Sequence, residues 1–238
     1  MTPLNIVFVH GWLFDNRVWN GFEKLFPLEF KTTLINLPGY GDSTSMRVKH
    51  KNYLKNYLRK LSGDTIIIGW SYGGALAIQE ASQDHPNVKK IVAINANLSI
   101  PINKSDKYVN KTSIEKLKKN LIQNKEETIK SFILESVKYS SSKRNEFKAL
   151  LKMFPLDSIP SIDVLTNHLI DISKTDLTEN LKYIKKDILL INGKLDQFIT
   201  QNDYENYSNI YTEFIEGMPH FPFISHKKEL YKLITNFI

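Results

Sequence analysis

The chain has 238 residues, 42% of them hydrophobic and 11% aromatic, with a net charge of +7 and no cysteine. That is enough apolar material for one α/β domain of generous size, or for such a domain carrying an insertion, while the missing cysteines exclude disulfides and thiol chemistry and suit a reducing cytoplasm. No apolar run approaches the length of a transmembrane helix, the run at residues 6–9 is too short for a signal-peptide core, and the six histidines show no metal-ligand spacing.

Residues 6–9 form a continuous apolar run ending in His10-Gly11, the pattern of a strand buried on both faces. Trp19, Phe22, Leu25 and Phe26 then recur at helical spacing and predict a helix over 18–26. A second strand at 32–37 ends in the turn-rich Pro38-Gly39-Tyr40-Gly41-Asp42-Ser43, and a helix follows over 49–61. The next strand, 65–68, leads into a helix over 74–84, stopped by His85-Pro86, and a further strand at 88–95. From 99 to 176 only helical patterns occur: one opened by a capping box at Thr112-Ser113-Ile114-Glu115, others at 129–137, 147–154 and 162–172. Strands resume at 187–192 and 212–216, and 227–237 closes the chain as a helix. The expected fold class is therefore α/β, a mainly parallel sheet with helices on both faces; residues 1–98 and 177–238 make the core and 99–176 an inserted helical lid.

Between the strand at 65–68 and the alanine-rich helix stands Gly69-Trp70-Ser71-Tyr72-Gly73, followed by Gly74. A Gly-X-Ser-X-Gly run between a strand and a helix forces a sharp turn that lifts the serine hydroxyl above the sheet edge, with the glycines letting strand and helix pass closely. Ser71 is thus a candidate nucleophile. A serine hydroxyl is weak at neutral pH and needs a base and a pair of oxyanion donors. With partners expected in the order serine, acid, histidine, the loop after the 187–192 strand offers Asp196, preferred over Asp203 further along because it sits at a strand end. His220, in the loop after the 212–216 strand, is the candidate base; His226 lies beside Lys227 and Lys228 at the start of the last helix. The oxyanion donors would be the backbone N–H groups of Tyr72 and Trp12, and the Trp12 ring either walls an acyl pocket or packs in the core. His10, His50, His85 and His168 are given no chemistry, although His10 is placed to shape the oxyanion loop.

With these residues the chain resembles the α/β-hydrolase superfamily throughout, and within it the carboxylesterases that cleave the methyl ester of pimeloyl-acyl-carrier protein in biotin synthesis. The likeness rests on His10-Gly11-Trp12 with Val18-Trp19, on Leu37 to Ser43, on Gly69 to Gly74 with a tryptophan before the serine, on Ile162-Asp163-Val164-Leu165, on Asp176-Leu177-Thr178, and most specifically on His220-Phe221-Pro222-Phe223-Ile224-Ser225-His226. The resemblance implies a Ser71, Asp196 and His220 triad, no cofactor or metal, and substrate contacts from Trp12, Tyr72 and the lid stretch Phe132, Ile133, Leu134, Glu135 and Ser136. It also implies that Arg144 and Lys148 meet an acidic carrier protein. Residues 99–152 alone hold 13 Lys/Arg against 6 Asp/Glu, an excess equal to that of the whole chain, which would steer such a partner; a solvated lysine-rich face reads the same way. Tyr72 stands where a small aliphatic residue is expected, which would narrow an acyl channel.

A monomeric cytoplasmic esterase is the expectation. Three other readings share these features: a hydrolase of small, lactone or aryl esters with a different lid, a proline-releasing aminopeptidase (disfavoured because the lid has few acidic residues to hold an amino terminus), and a hydrolase-fold binding protein with a vestigial triad. A nucleic-acid partner is not expected, since the lysines are not interleaved with aromatics in a recognised module.

Overall fold

The structure, a computed structural model, describes residues 4–43, 50–83, 85–101, 109–200, 204 and 206–238. Six strands, β1 (Leu4–Val9), β2 (Phe30–Ile35), β3 (Thr65–Trp70), β4 (Val88–Ile94), β5 (Asp187–Gly193) and β6 (Ile210–Ile215), form one parallel sheet in the order β2-β1-β3-β4-β5-β6. Every residue of the central strand β3 is buried, because a parallel strand in mid-sheet is covered on both faces. That is why residues 65–68 are an unbroken β-branched run rather than an alternation.

Strand order places the connections. The links from β2 to β3 and from β3 to β4 run the same way across the sheet, so right-handed crossovers put their helices, α1 (His50–Leu58) and α2 (Tyr72–Ala81), side by side on one face. The link from β1 to β2 runs the opposite way and lies on the other face. There it meets the last helix, labelled below as α8 (Lys227–Phe237), through Phe26 and Tyr231, ring centroids 5.4 Å apart.

That link corrects one expectation. Residues 18–26 are not an α-helix but contribute to two 3₁₀ turns, Asn16–Trp19 and Glu23–Leu25. Gly21 between them takes φ 78°, through which an α-helix cannot continue. The aromatic spacing still serves burial: Trp19 packs on Phe8 at 5.0 Å and on Phe223 at 4.6 Å.

Among the described residues five α-helices lie between β4 and β5: α3 (Lys111–Gln123), α4 (Lys125–Ser136), α5 (Lys143–Met153), α6 (Ile162–Ser173) and the short α7 (Thr178–Leu181). The cap of α3 lies two residues earlier than the sequence pattern suggests. Asn110 accepts the Ser113 N–H at 2.9 Å and donates its own N–H to the Ser113 hydroxyl at 2.9 Å, so serine does the work assigned to Glu115. The two ends of this helical segment meet at a narrow neck: Leu177 N–H donates to Leu98 C=O at 2.7 Å and Ile100 N–H to Thr175 C=O at 3.1 Å. Arg17 fastens the segment a second time, donating to Met153 C=O (2.7 Å) and the Ser158 hydroxyl (2.9 Å) while paired with Asp15 at 2.7 Å. Among the described residues no helix is long and apolar enough to cross a membrane.

Candidate active site

Ser71 sits between the last residue of β3 and the first of α2 with φ 54° and ψ −122°, a conformation that non-glycine residues rarely adopt. Its neighbours enforce the turn. A Cβ on Gly73 would lie 2.3 Å from the Val9 carbonyl oxygen, and one on Gly69 would lie 2.4 Å from that of Gly73. Both obstacles are backbone atoms, so only glycine lets strand, elbow and the end of β1 pass this closely. Tyr72 opens α2, and the N–H groups of a helix's first turn have no intrahelical acceptor. The loop after β1 runs beside the nucleophile: a Cβ on Gly11 would come within 3.0 Å of the Ser71 Cβ, which brings Trp12 into the same corner.

Three side chains from three loops converge here. The Ser71 hydroxyl lies 3.1 Å from His220 Nε2, and His220 Nδ1 lies 2.7 Å from Asp196 Oδ2. The carboxylate is an acceptor only, so His220 carries its proton on Nδ1 and leaves Nε2 free to accept from the serine. Asp196 Oδ1 accepts the Phe198 N–H at 2.8 Å, so each carboxylate oxygen is engaged. Asp196 and His220 are 2% and 4% exposed, which keeps water from competing for these bonds. The His220 carbonyl takes a hydrogen bond from the Trp70 indole at 2.8 Å, tying the base to the residue just before the nucleophile. Asp203, the alternative acid, lies outside the described residues; His226 bonds to Ser225 at 2.9 Å instead of to this cluster.

Ser71 and His220 open into a cavity of about 370 Å³. Trp12, Phe132, Phe198, Leu169 and Ile172 give it apolar walls, and α3 adds Ser113, Lys116, Leu117 and Asn120, one helical stripe. The Trp12 ring does both things left open by the sequence: it lines the cavity, packs against Phe132 at 4.8 Å, and donates its indole N–H to Leu165 C=O at 3.0 Å. Of the stretch 132–136 the cavity meets only Phe132 and Glu135, three residues apart on α4; Glu135 is paired with Lys138 at 3.1 Å. Ile133 is fully buried inside the helical segment, Leu134 is 46% exposed, and Ser136 bonds back to Phe132 C=O while its own carbonyl accepts the Phe221 N–H at 2.8 Å. The Tyr72 side chain does not narrow this cavity. It lines a separate cleft of about 330 Å³ with His50, Gln79 and Asp171. Arg144 and Lys148 are exposed on α5, away from the cavity wall.

Behind the elbow lies a buried cluster in which only His10 has a role expected from the sequence, that of shaping the oxyanion loop. His10 donates from Nδ1 to Gly11 C=O at 2.8 Å and accepts the Leu37 N–H on Nε2 at 3.0 Å, bracing the loop that carries Trp12. Tyr40 donates to His168 Nδ1 at 2.8 Å, and the His168 ring lies 3.6 Å from that of His50, so α6 is tied to the β2 loop and to α1. Burial pushes His10 and His50 down to about 4 and His168 to about 2, where the neighbouring imidazoles add to the effect. The unfolded chain takes up these protons near pH 6.5 and the folded one does not, so stability is complete above that pH and drains away as pH falls toward about 4. The urea midpoint is therefore expected to hold above about pH 7 and to drop between about 6.5 and 5, and to drop less steeply in His168→Gln. A flat midpoint across that window would overturn the assignment.

Among known proteins, the alpha/beta hydrolase fold family matches residues 5–227. The chain is similar to the pimeloyl-acyl-carrier-protein methyl ester esterase of Wigglesworthia glossinidia brevipalpis, 26% identical over 99% of this chain and 93% of that one. It is similar also to the protein of the same name from Pseudoalteromonas atlantica, 24% identical over 94% and 90%. Its fold is shared with an esterase from Exiguobacterium antarcticum, with a TM-score of 0.82 at 18% identity over 98% of this chain and 91% of that one.

Proposed function

The chain belongs to the alpha/beta hydrolase fold family, and from that premise we propose that it is a serine carboxylesterase whose substrate is the methyl ester of a pimeloyl chain carried on acyl-carrier protein, in biotin synthesis. One observation carries the chemistry: the unbroken hydrogen-bonded line from the Ser71 hydroxyl through His220 to the buried Asp196, at the floor of an apolar cavity. The named relatives, matched over nearly their whole length, support the substrate class.

In this reading His220 Nε2 takes the Ser71 proton as the oxygen attacks the ester carbonyl. The tetrahedral oxyanion is held by the backbone N–H groups of Tyr72 and Trp12. Collapse expels methoxide, which leaves as methanol with the proton from His220, and the acyl-serine remains. Water, deprotonated by the same nitrogen, then attacks that ester; the second collapse returns the proton to Ser71 and frees the ω-carboxylate. Asp196 fixes the imidazole tautomer throughout. Residues 99–176 act as a lid over the core formed by 1–98 and 177–238, and Arg144 and Lys148 on its surface face the acidic carrier.

Reversing both charges, Arg144→Glu with Lys148→Glu, is expected to lower kcat/KM on the carrier-bound methyl ester about tenfold, chiefly through association, with less than a twofold change on p-nitrophenyl butyrate. Equal losses on both substrates would remove the carrier from the proposal. Growth of a biotin-requiring strain lacking this esterase, restored by the parent chain and not by Ser71→Ala, tests the pathway itself.

A further inference from the structure

Asn95, the residue after β4, is completely buried and holds φ 45°, a left-handed conformation that asparagine tolerates better than most side chains. Its amide makes three hydrogen bonds, two to the loop after β6 and one to the last residue of β5. Nδ2 donates to the carbonyls of Pro219 at 2.9 Å and His220 at 3.0 Å, and Oδ1 accepts the Gly193 N–H at 2.9 Å. Gly193 begins the turn to Asp196, whose N–H donates to the Gly193 carbonyl at 3.2 Å. On the other side, the carbonyl of the preceding residue, Ile94, accepts the Ser71 N–H at 2.8 Å. A single short side chain thus bridges the loop bearing the acid and the loop bearing the base, from a strand end that also holds the nucleophile's backbone.

We infer that Asn95 is a positioning residue for the hydrolysis. It sets the separation of His220 from Asp196 and keeps the imidazole aligned on Ser71, and this rests on the reading of those three residues as the catalytic triad. The chemistry of the site selects asparagine. Position 95 must offer a donor to two carbonyls and an acceptor to one N–H within a short reach, and at full burial water cannot make up for a missing partner. Aspartate has the same shape but turns an oxygen toward the Pro219 and His220 carbonyls: ionised it repels both, protonated it can satisfy only one. Asn95 is absent from the wall of the substrate cavity, so its loss would misplace the base without altering binding. Displacements of about 1 Å between reacting groups are enough to cost about 100-fold in rate.

The test uses the full-length enzyme and p-nitrophenyl butyrate, with active sites counted by a fluorophosphonate. Asn95→Asp is expected to lower kcat per titrated site about 100-fold while KM stays within about twofold. Asn95→Gly suits the positive φ and leaves room for a water to take up the bonds that the amide made, the His220 carbonyl keeping its bond from the Trp70 indole; it is expected to fold and to show the same split with a loss of about tenfold. It carries the test if the aspartate variant does not fold. Parent-like kcat in a folded variant, or a loss shared with an equal rise in KM, would overturn the inference. The underlying triad reading fails separately: the parent would then be inactive on esters, or Ser71→Ala as active as the parent.

Discussion

Ser71→Ala is expected to lower kcat on p-nitrophenyl butyrate by about 10⁶-fold, the loss seen when the nucleophile of a serine hydrolase is removed. The structure says why nothing else should compensate. The 3.1 Å contact with His220 is the hydroxyl's link to a base, and alanine offers no atom to take it up. The fold, by contrast, should survive intact. The elbow is held by backbone bonds, Ser71 N–H to Ile94 C=O at 2.8 Å and Gly74 N–H to Ser71 C=O at 3.0 Å, and alanine keeps both. Steady-state rates on protein whose urea midpoint matches the parent's are the measurement. Undiminished turnover would exclude Ser71 as nucleophile; a lost midpoint would show that the hydroxyl is structural.

Asp196→Asn is the second large effect, about 10⁴-fold in kcat. The magnitude follows from a tautomer. The Phe198 N–H, 2.8 Å from Oδ1, needs an acceptor, so an asparagine side chain would turn its oxygen there and present its NH₂ to His220 Nδ1. To accept that donor His220 must move its proton to Nε2, facing Ser71, where it can no longer take the serine proton. The geometry stays, and the chemistry stops. Because the defect is one of proton placement, activity should be lost with little change in KM, and the variant should remain unreactive toward fluorophosphonates. Parent-like labelling would mean that another group orients the base; among those named from the sequence, Asp203 would then be the alternative.

How much of this was legible beforehand depends on whether the signal was local. The elbow could be read because its glycines and serine stand together in one short run between a strand and a helix, although only Gly69 meets its nearest obstacle within that unit. The order of acid and base could be read because both follow strands that the apolar runs mark. The resemblance implies five substrate contacts at 132–136, but on a helix only positions three or four apart share a face, and Phe132 and Glu135 are the pair that the cavity meets. The same spacing on α3, at Ser113, Lys116, Leu117 and Asn120, passed unnoticed because nothing in the sequence tells which stripe of an amphipathic helix faces a cavity and which a neighbour. Gly21 was visible, yet the aromatic period around it outweighed the break. The placing of Tyr72 in a separate cleft and the bridging by Asn95 depend on residues distant in the chain, and no local pattern carries them.

The parallel sheet also governs when this enzyme becomes one. Parallel strands cannot pair through hairpins, and the groups that must meet, at positions 71, 196 and 220, hang from β3, β5 and β6. During refolding Asp196 and His220 can meet once β5 pairs with β6, but Ser71 joins them only when β4, which lies between β3 and β5, is in register. Recovered turnover therefore clocks the last step of assembly, after helical content has returned.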